Sequence, residues 1–557
     1  MFRSIYSILM TVFLAGLGSN AYSFEACEDS IIPDSPVLSN GFGFGLKNDR
    51  NASSSIIDSS NIDKLSLDFA FVEPGINEKR GAVAVTEQAI FLSAEKKVYA
   101  VNRRSGCVYW EWENLGSSFD FVRSASVHLI DEPILGKRII VIGSYLGELV
   151  AIDATTGSQI WSRFVSGDRI NNMVTGGLQY HDGKVFVPVA TKEVITAAVQ
   201  PVCCFSHGRV LAVSSATGKT VWNHHMTRFA TRRLFSPRRG PNGVSVWSTP
   251  LIDVKREQLL VGTSTNLSKP QTHNANSLVA LDLNTGKEKW VMQAVVPDFY
   301  NASCSADFPL DFNCDMPDHD FDMLTPVLKT LKSGEDVIIV PDKSGRVYSV
   351  NPNNGHRNWA SKIGAGGKLG GVHWGVAVDD EKIYVGVADV TAAKSGIGSL
   401  SDSLSDLTLE SLISGDVTLE VPMVQVPGAT PGVYALDINN GNVIWEVHTT
   451  RHYDGQNIDS IYSANVTVSN DLVFAGSLDG MVRAFHKDTG VELWSYNTNI
   501  SVTGPTGIEG NGGTVESVGP IAAGDNLFVN SGYNTFGGTN EFQGGPGNAL
   551  FVFKLAL

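Results

Sequence analysis

One arrangement of apolar and polar positions returns along nearly the whole chain. A short strand of alternating apolar, often β-branched residues leads into D/N-x-x-T/N-G or a close variant, and a second strand then closes on Trp. It runs from VYAVN to Trp110, LVAID to Trp161, VLAVS to Trp222, LVALD to Trp290, VYSVN to Trp359, VYALD to Trp445 and VRAFH to Trp494. Period-two alternation marks strands, and the T/N-G pair supplies the positive φ that a tight hairpin needs. Each unit therefore reads as a hairpin whose Trp ring fills the space between neighbouring sheets.

A further apolar strand precedes most units: RIIVIGS, KVFVPVA, LLVGTS, VIIVPD, KIYVGVAD and LVFAGS. Trp-to-Trp spacings of 51, 61, 68, 69, 86 and 49 residues leave room for four strands each. Four-stranded units repeated around a circle make a β-propeller. After Trp494, NLFVNSG (526–532) and ALFVFKL (549–555) form an incomplete further unit, which Leu67–Val72 would finish. The expected fold is all-β: an eight-bladed β-propeller of four-stranded antiparallel blades over residues 24–557. Joining its two ends removes exposed sheet edges. The 86-residue interval holds residues 393–430, rich in Ser, Gly and acidic residues. It reads as a long surface excursion, with a lid or substrate platform as the sharper alternative.

Composition refines this. With 43% hydrophobic and 18% charged residues the chain is not a disordered one. Its 557 residues alone would suggest three or four domains, and the repeat replaces them with one. A net charge of −15 argues against nucleic acid and predicts that a redox partner brings basic residues to its docking face. Arg3 ahead of the apolar run Ile5–Leu17, then Ala21-Tyr22-Ser23, reads as a cleaved signal peptide over residues 1–23. The protein is thus expected to be periplasmic or secreted, with no membrane span. The six cysteines, at 27, 107, 203, 204, 304 and 314, favour disulfides in an exported chain. Cys203-Cys204 is either two separate thiols or an eight-membered ring. Six cysteines allow 15 full pairings; one of them joins Cys304 to Cys314, stiffening the loop ahead of Asp318, and Cys27 to Cys107, tying the N-terminus to the first blade. CxxC and CxxCH are absent, which excludes a zinc ribbon and covalently attached c-type haem.

Segments outside the repeat carry the chemistry. They include GFGLKNDRNASSS (43–55), PVCCFSHGRVLAV (201–213), NGVSVWSTPLID (242–253), CSADFPLDFNCDMPDHDFD (304–322), DKSGRVYSVNPNNG (342–355), GGVHWGVAVD (370–379) and VNSGYNTFGGTNEFQGGPGNALFVF (529–553). With the Trp-closed repeat, these resemble the PQQ-dependent alcohol dehydrogenases, specifically a polyvinyl-alcohol-dehydrogenase-like branch without a cytochrome c domain. The repeat itself is shared with non-enzymatic assembly scaffolds.

That resemblance implies roles. Trp247 would stack on PQQ and Trp374 would form a second wall; ordinary packing is the competing reading. Lys343 would contact the quinone oxygens, where a cation stabilises charge developing on reduction. Arg123 would lie near a cofactor carboxylate or carbonyl. Cys203 and Cys204 would line the cofactor site from another blade. Asp320 would be the general base that takes the alcohol proton, against the competing reading of a solvated acidic loop. Glu193, Asp320 and Asp322 are candidate metal ligands, joined by Thr265 or Asn266 depending on a one-residue shift in Thr263-Ser264-Thr265-Asn266. The Gly of that motif is missing here. The ion would be Ca²⁺, or a lanthanide given the extra carboxylate of Asp322. Electrons would leave through a separate carrier such as a soluble cytochrome c. The implied function is exported PQQ-dependent oxidation of an alcohol, secondary or polymeric. The alternative is a non-catalytic propeller that binds proteins. A propeller hydrolase or lectin ranks last, since no G-x-S-x-G elbow or zinc-type His cluster is present.

Overall fold

A computed structural model describes residues 24–556, except residues 30 and 506 and the segments 77–78, 114–119, 198–201, 233–238, 305–312, 316–319, 393–422 and 534–541. The expected signal peptide, Asp318 and most of the Ser/Gly-rich excursion lie outside the described residues. Flanking that excursion, Val390–Ala392 and Met423–Gln425 pair as a two-stranded ribbon.

Eight antiparallel sheets form the blades of a β-propeller. In the second blade, for example, His128–Glu132, Lys137–Gly143, Glu148–Asp153 and Gln159–Phe164 pair in sequence order. Burial falls from the axis outwards. The innermost Val376–Val378 is wholly buried, whereas the outermost Arg357–Lys362 of the preceding blade alternates between exposed and half-buried. The eighth blade draws Ile521–Ala523, Asn526–Ser531 and Ala549–Leu555 from one end of the chain and Leu65–Val72 from the other. Pairing runs from Leu65↔Leu555 to Val72↔Ala549, two residues longer than the sequence pattern suggested. The first blade gains a fifth strand, Val37–Ser39, on the axial side of Ala84–Thr86.

The Trp and the turn Gly of the repeat meet across blade seams. Trp110 donates its indole N–H to the Ala154 carbonyl (3.1 Å), Trp161 to Ser215 (2.9 Å) and Trp222 to Leu283 (3.2 Å). Trp359, Trp445 and Trp494 do the same to Ile438, Lys487 and Leu65. Each of Gly157, Gly218, Gly286, Gly355, Gly441 and Gly490 lies against the Trp ring of the preceding blade, where an added Cβ would approach the indole to 2.5–2.9 Å. The glycine is therefore doubly required, by its positive φ and by the ring beneath it. Phe69, in the outermost strand of the eighth blade, takes the ring position under Gly106. This is why only seven Trp mark eight blades.

Disulfides join Cys27 to Cys107, Cys203 to Cys204 and Cys304 to Cys314, leaving no free cysteine. No helix among the described residues is long and apolar enough to cross a membrane.

Candidate functional site

In an antiparallel blade, the start of the first strand and the end of the second share one end. Arg123, Trp247, Asp320, Asp322 and Trp374 all precede innermost strands, while Glu193, Thr265, Asn266 and Lys343 follow second strands. The repeat thus delivers every singled-out residue to the same face of the propeller, on loops that its hairpins leave free to vary.

Five of them converge. The Lys343 ammonium donates to Asp320 Oδ2 and to Asp322 Oδ2, both at 2.9 Å. Asp322 Oδ2 also accepts the Trp247 indole N–H (3.0 Å), and its Oδ1 accepts the Thr265 backbone N–H (3.1 Å). Lys343 lies 5.3 Å from the Trp247 ring centroid. Lys343, Asp320 and Asp322 are buried. Burial pushes the Lys343 ammonium towards neutrality, but Asp320 and Asp322 outweigh it and hold the group above its ordinary value, so it is cationic. Burial drives Asp320 well above the usual carboxylate range; Asp322 and Asp298 add to this while Lys343 opposes it. Asp298 accepts the Phe321 N–H (2.9 Å) and takes Thr265 Oγ1 on its backbone carbonyl (2.8 Å), fixing the loop that carries Asp320.

Trp247 and Trp374 meet edge to face, centroids 5.4 Å apart at 86°. Sequence reasoning did not single out Arg80, whose guanidinium lies 5.4 Å from the Trp374 ring and 5.6 Å from that of Tyr533. Arg123, half-buried, lies 6.0 Å from the same Tyr533 ring. His373 was missed as well. It packs against both Trp rings, and its Nδ1 lies 3.1 Å from Glu516 and 2.9 Å from Ser463 Oγ. The available signal was position: Arg80, His373 and Glu516 all stand shortly before an innermost strand, and Tyr533 just after a second one.

The other candidates lie apart from this cluster in their bonding. Glu193, wholly buried, accepts the backbone N–H groups of Phe205 (2.9 and 3.0 Å) and Ser206 (2.6 Å) and the Ser206 hydroxyl (2.6 Å). Burial raises its pKa, against the pull of those donors. Its carboxylate lies within 4.8 Å of the Cys203 and Cys204 sulfurs. Asn266 spends its amide on the Asn242 carbonyl (2.6 Å) and its side-chain oxygen on the Thr272 N–H (2.8 Å). Asn242 in turn donates to the Cys204 carbonyl (3.1 Å).

Comparison with known proteins decides what this face belongs to. Residues 46–359 match the family described as "PQQ: Glucose/ethanol/alcohol dehydrogenase, beta-propeller domain". The chain is 30% identical to a polyvinylalcohol dehydrogenase of Pseudomonas sp over 95% of its own length and 79% of the relative's. It is equally similar to one from Sphingopyxis sp. (strain 113P3), over 93% and 76%. The chain belongs to the PQQ-dependent alcohol dehydrogenase family. Among solved structures, the quinohemoprotein alcohol dehydrogenase ADHIIG of Pseudomonas putida HK5 superposes with a TM-score of 0.68 at 16% identity, covering 95% of this chain and 83% of that one. Residues 343–546 also match a family described as outer membrane protein assembly factor BamB.

PQQ is planar, aromatic and trianionic, and the residues present fit it. Two indoles set at right angles offer a floor and a wall, Arg80, Arg123 and Lys343 supply cations, and the buried Trp374 N–H has no acceptor among the described residues. The metal donors fit less well. Among the described residues the one group of three His, Cys, Asp or Glu ligand atoms within 4.8 Å is Glu193 with the disulfide-bonded Cys203 and Cys204, whose sulfurs lack the thiolate a metal would take. Asn266 presents no uncommitted oxygen, and Asp320 and Asp322 already share the Lys343 cation.

Proposed function

We propose that this is an exported PQQ-dependent dehydrogenase acting on an alcohol, with secondary or polymeric alcohols favoured by the named relatives. The observation that carries this reading is the buried Asp320–Lys343–Asp322 bridge beside Trp247. When bound, PQQ supplies the two-electron acceptor for the hydride of the carbinol carbon. Asp320 takes the hydroxyl proton on Oδ1, the oxygen opposite the one held by Lys343. Its raised pKa makes it a stronger base than an exposed carboxylate once it is ionised. Lys343 keeps that ionised form accessible and offers its positive charge to oxygen on the cofactor side. Asp322 orients both Lys343 and the Trp247 indole. Arg80 and Arg123 counter the cofactor carboxylates, and the Trp374 N–H donates to the bound cofactor. The protons and charges handled here lie on Asp320 and Lys343. Electrons leave to a separate soluble acceptor, such as a cytochrome c.

The test is reconstitution with PQQ, with Ca²⁺ and separately with a lanthanide, followed by dye reduction with primary and secondary alcohols. Saturable PQQ binding with alcohol-dependent turnover is expected. A second reading, a protein-binding propeller, draws on the match of residues 343–546 to an assembly factor. A folded protein that binds no PQQ would favour it.

A further inference from the structure

Innermost strands of a propeller have no neighbour on their axial side, so their outward-turned backbone groups need partners. Here one segment supplies them to every blade in turn. Val37–Ser39 pairs with Ala84–Thr86 of the first blade. Asn40 exchanges two 2.8 Å bonds with Leu129 of the second. In the third blade the Gln179 side-chain amide donates to the Gly45 carbonyl (2.8 Å), whereas Leu46 accepts from the Ile252 N–H of the fourth (3.0 Å) and Lys47 from the Leu328 N–H of the fifth (3.0 Å). Asp49 accepts from Val378 of the sixth (2.9 Å) and Arg50 from Val468 of the seventh (3.2 Å). Ser54 and Ile56 bond Gly524 of the eighth (3.2 and 2.9 Å). Arg50 is buried and meets only neutral acceptors: the carbonyls of Phe42, Val466 and Pro520 and the Thr467 hydroxyl. Asn48 bonds the carbonyls of Thr249, Pro250 and Pro326.

These partners lie just past the site residues along the chain: Thr249 and Pro250 after Trp247, Pro326 after Asp322, Val378 after Trp374 and Leu129 after Arg123. The segment therefore closes the axis directly beneath the site. Its Phe42 is a buried member of the same hydrophobic cluster as Trp374, and Phe44 and Trp247 pack against that cluster.

We propose that residues 37–56 are an axial plug that sets the aromatic walls of the site, with Phe42 as a positioning residue that holds Trp374 edge-on to Trp247. In its bearing on cofactor affinity this rests on the function proposed above. The test compares Phe42→Ala with Phe474→Ala, a wholly buried phenylalanine in a different cluster. Four quantities are measured: urea midpoint, near-ultraviolet circular dichroism of the metal-free and PQQ-free protein, PQQ affinity, and kcat at saturating PQQ. Phe42→Ala is expected to alter the Trp dichroism and to weaken PQQ binding about tenfold, with kcat at saturating PQQ within about twofold of the parent. Phe474→Ala is expected to lower the midpoint comparably and leave dichroism and affinity unchanged. If the two variants lose stability in parallel and neither changes dichroism or affinity, the plug is structural only and the proposal falls. Should Phe42→Ala fail to fold, Phe42→Leu must show the same two shifts in smaller measure, and unchanged values would overturn the proposal. A parent protein that binds no PQQ defeats the proposed function, and the dichroism still decides the positioning role.

Discussion

Two sets of tryptophans show how this propeller divides its work. At the seams, Trp110, Trp161, Trp222, Trp359, Trp445 and Trp494 each give the indole N–H to a carbonyl of the next blade. The ring, its N–H and the facing glycine form a closed set, repeated because each blade must dock on the next. At the axis, the Trp247 N–H goes to the carboxylate of Asp322, and that of Trp374 is buried without an acceptor among the described residues. Trp290 qualifies the contrast. It is a seam tryptophan that lies against Gly355 but has no acceptor for its N–H. An unanswered N–H therefore points to a ligand only where aromatic and cationic neighbours accompany it, as they do at Trp374. The same side chain docks blade on blade where its partner is a backbone carbonyl, and at Trp247 it answers a buried carboxylate.

The largest effect is expected at Asp320. Asp320→Asn is expected to lower kcat by roughly 10²–10⁴-fold while PQQ still binds, measured by dye reduction and by fluorescence titration. Because the Asp320 pKa is raised, its basic form is missing at low pH, so kcat/KM should rise with pH along a limb above the usual carboxylate range. Lys343 lowers that pKa, so Lys343→Gln should move the limb to still higher pH, and an unmoved limb would assign it to another group. At the seams, Trp222→Ala should cost about 3–5 kcal/mol of stability in urea unfolding while the PQQ affinity of the folded protein stays as it was. A fall in affinity matching the fall in stability would erase the division.

His128 lies where the plug crosses the second blade, with Gly41 so close that an added Cβ would sit 2.9 Å from its Nδ1. Burial lowers its pKa from 6.5 to about 4. A pKa depressed in the folded state gives stability that is complete above pH 6.5 and lost as pH falls towards 4, here roughly 3 kcal/mol. His128→Gln should flatten that part of the stability profile. The smallest expected effect sharpens the contrast most: Trp374→Phe keeps an aromatic wall, removes the N–H and should weaken PQQ binding about fivefold to tenfold, with a nearly unchanged urea midpoint.

The fold was legible because its determinants are local and repeated. Alternation, T/N-G turns and Trp at fixed places report hairpins, and Leu67–Val72 could be matched to the strandless end by its pattern alone. The site was legible only in part. Trp247, Asp320, Asp322 and Lys343 stand in distinctive segments, and the structure brings them together. Glu193 and Asn266 stand in equally distinctive segments, yet their oxygens are committed to Phe205, Ser206 and Thr272. Arg80 and Glu516 carry no motif, and their place follows from blade geometry; Tyr533 stands in the distinctive segment 529–553, but only the fold brings it to the site.

By itself, the sequence determined the strands, the number of blades, the closure of the ring and the chemical character of its odd loops. These depend on residues near one another in the chain. Which loops meet at the axis, that Lys343 answers both Asp320 and Asp322, and that residues 37–56 touch all eight blades were decided by the tertiary structure alone. The reason is physical: closing the ring converts eight distant stretches into neighbours, and the balance between burial and charge that sets the state of Asp320 exists only once they meet.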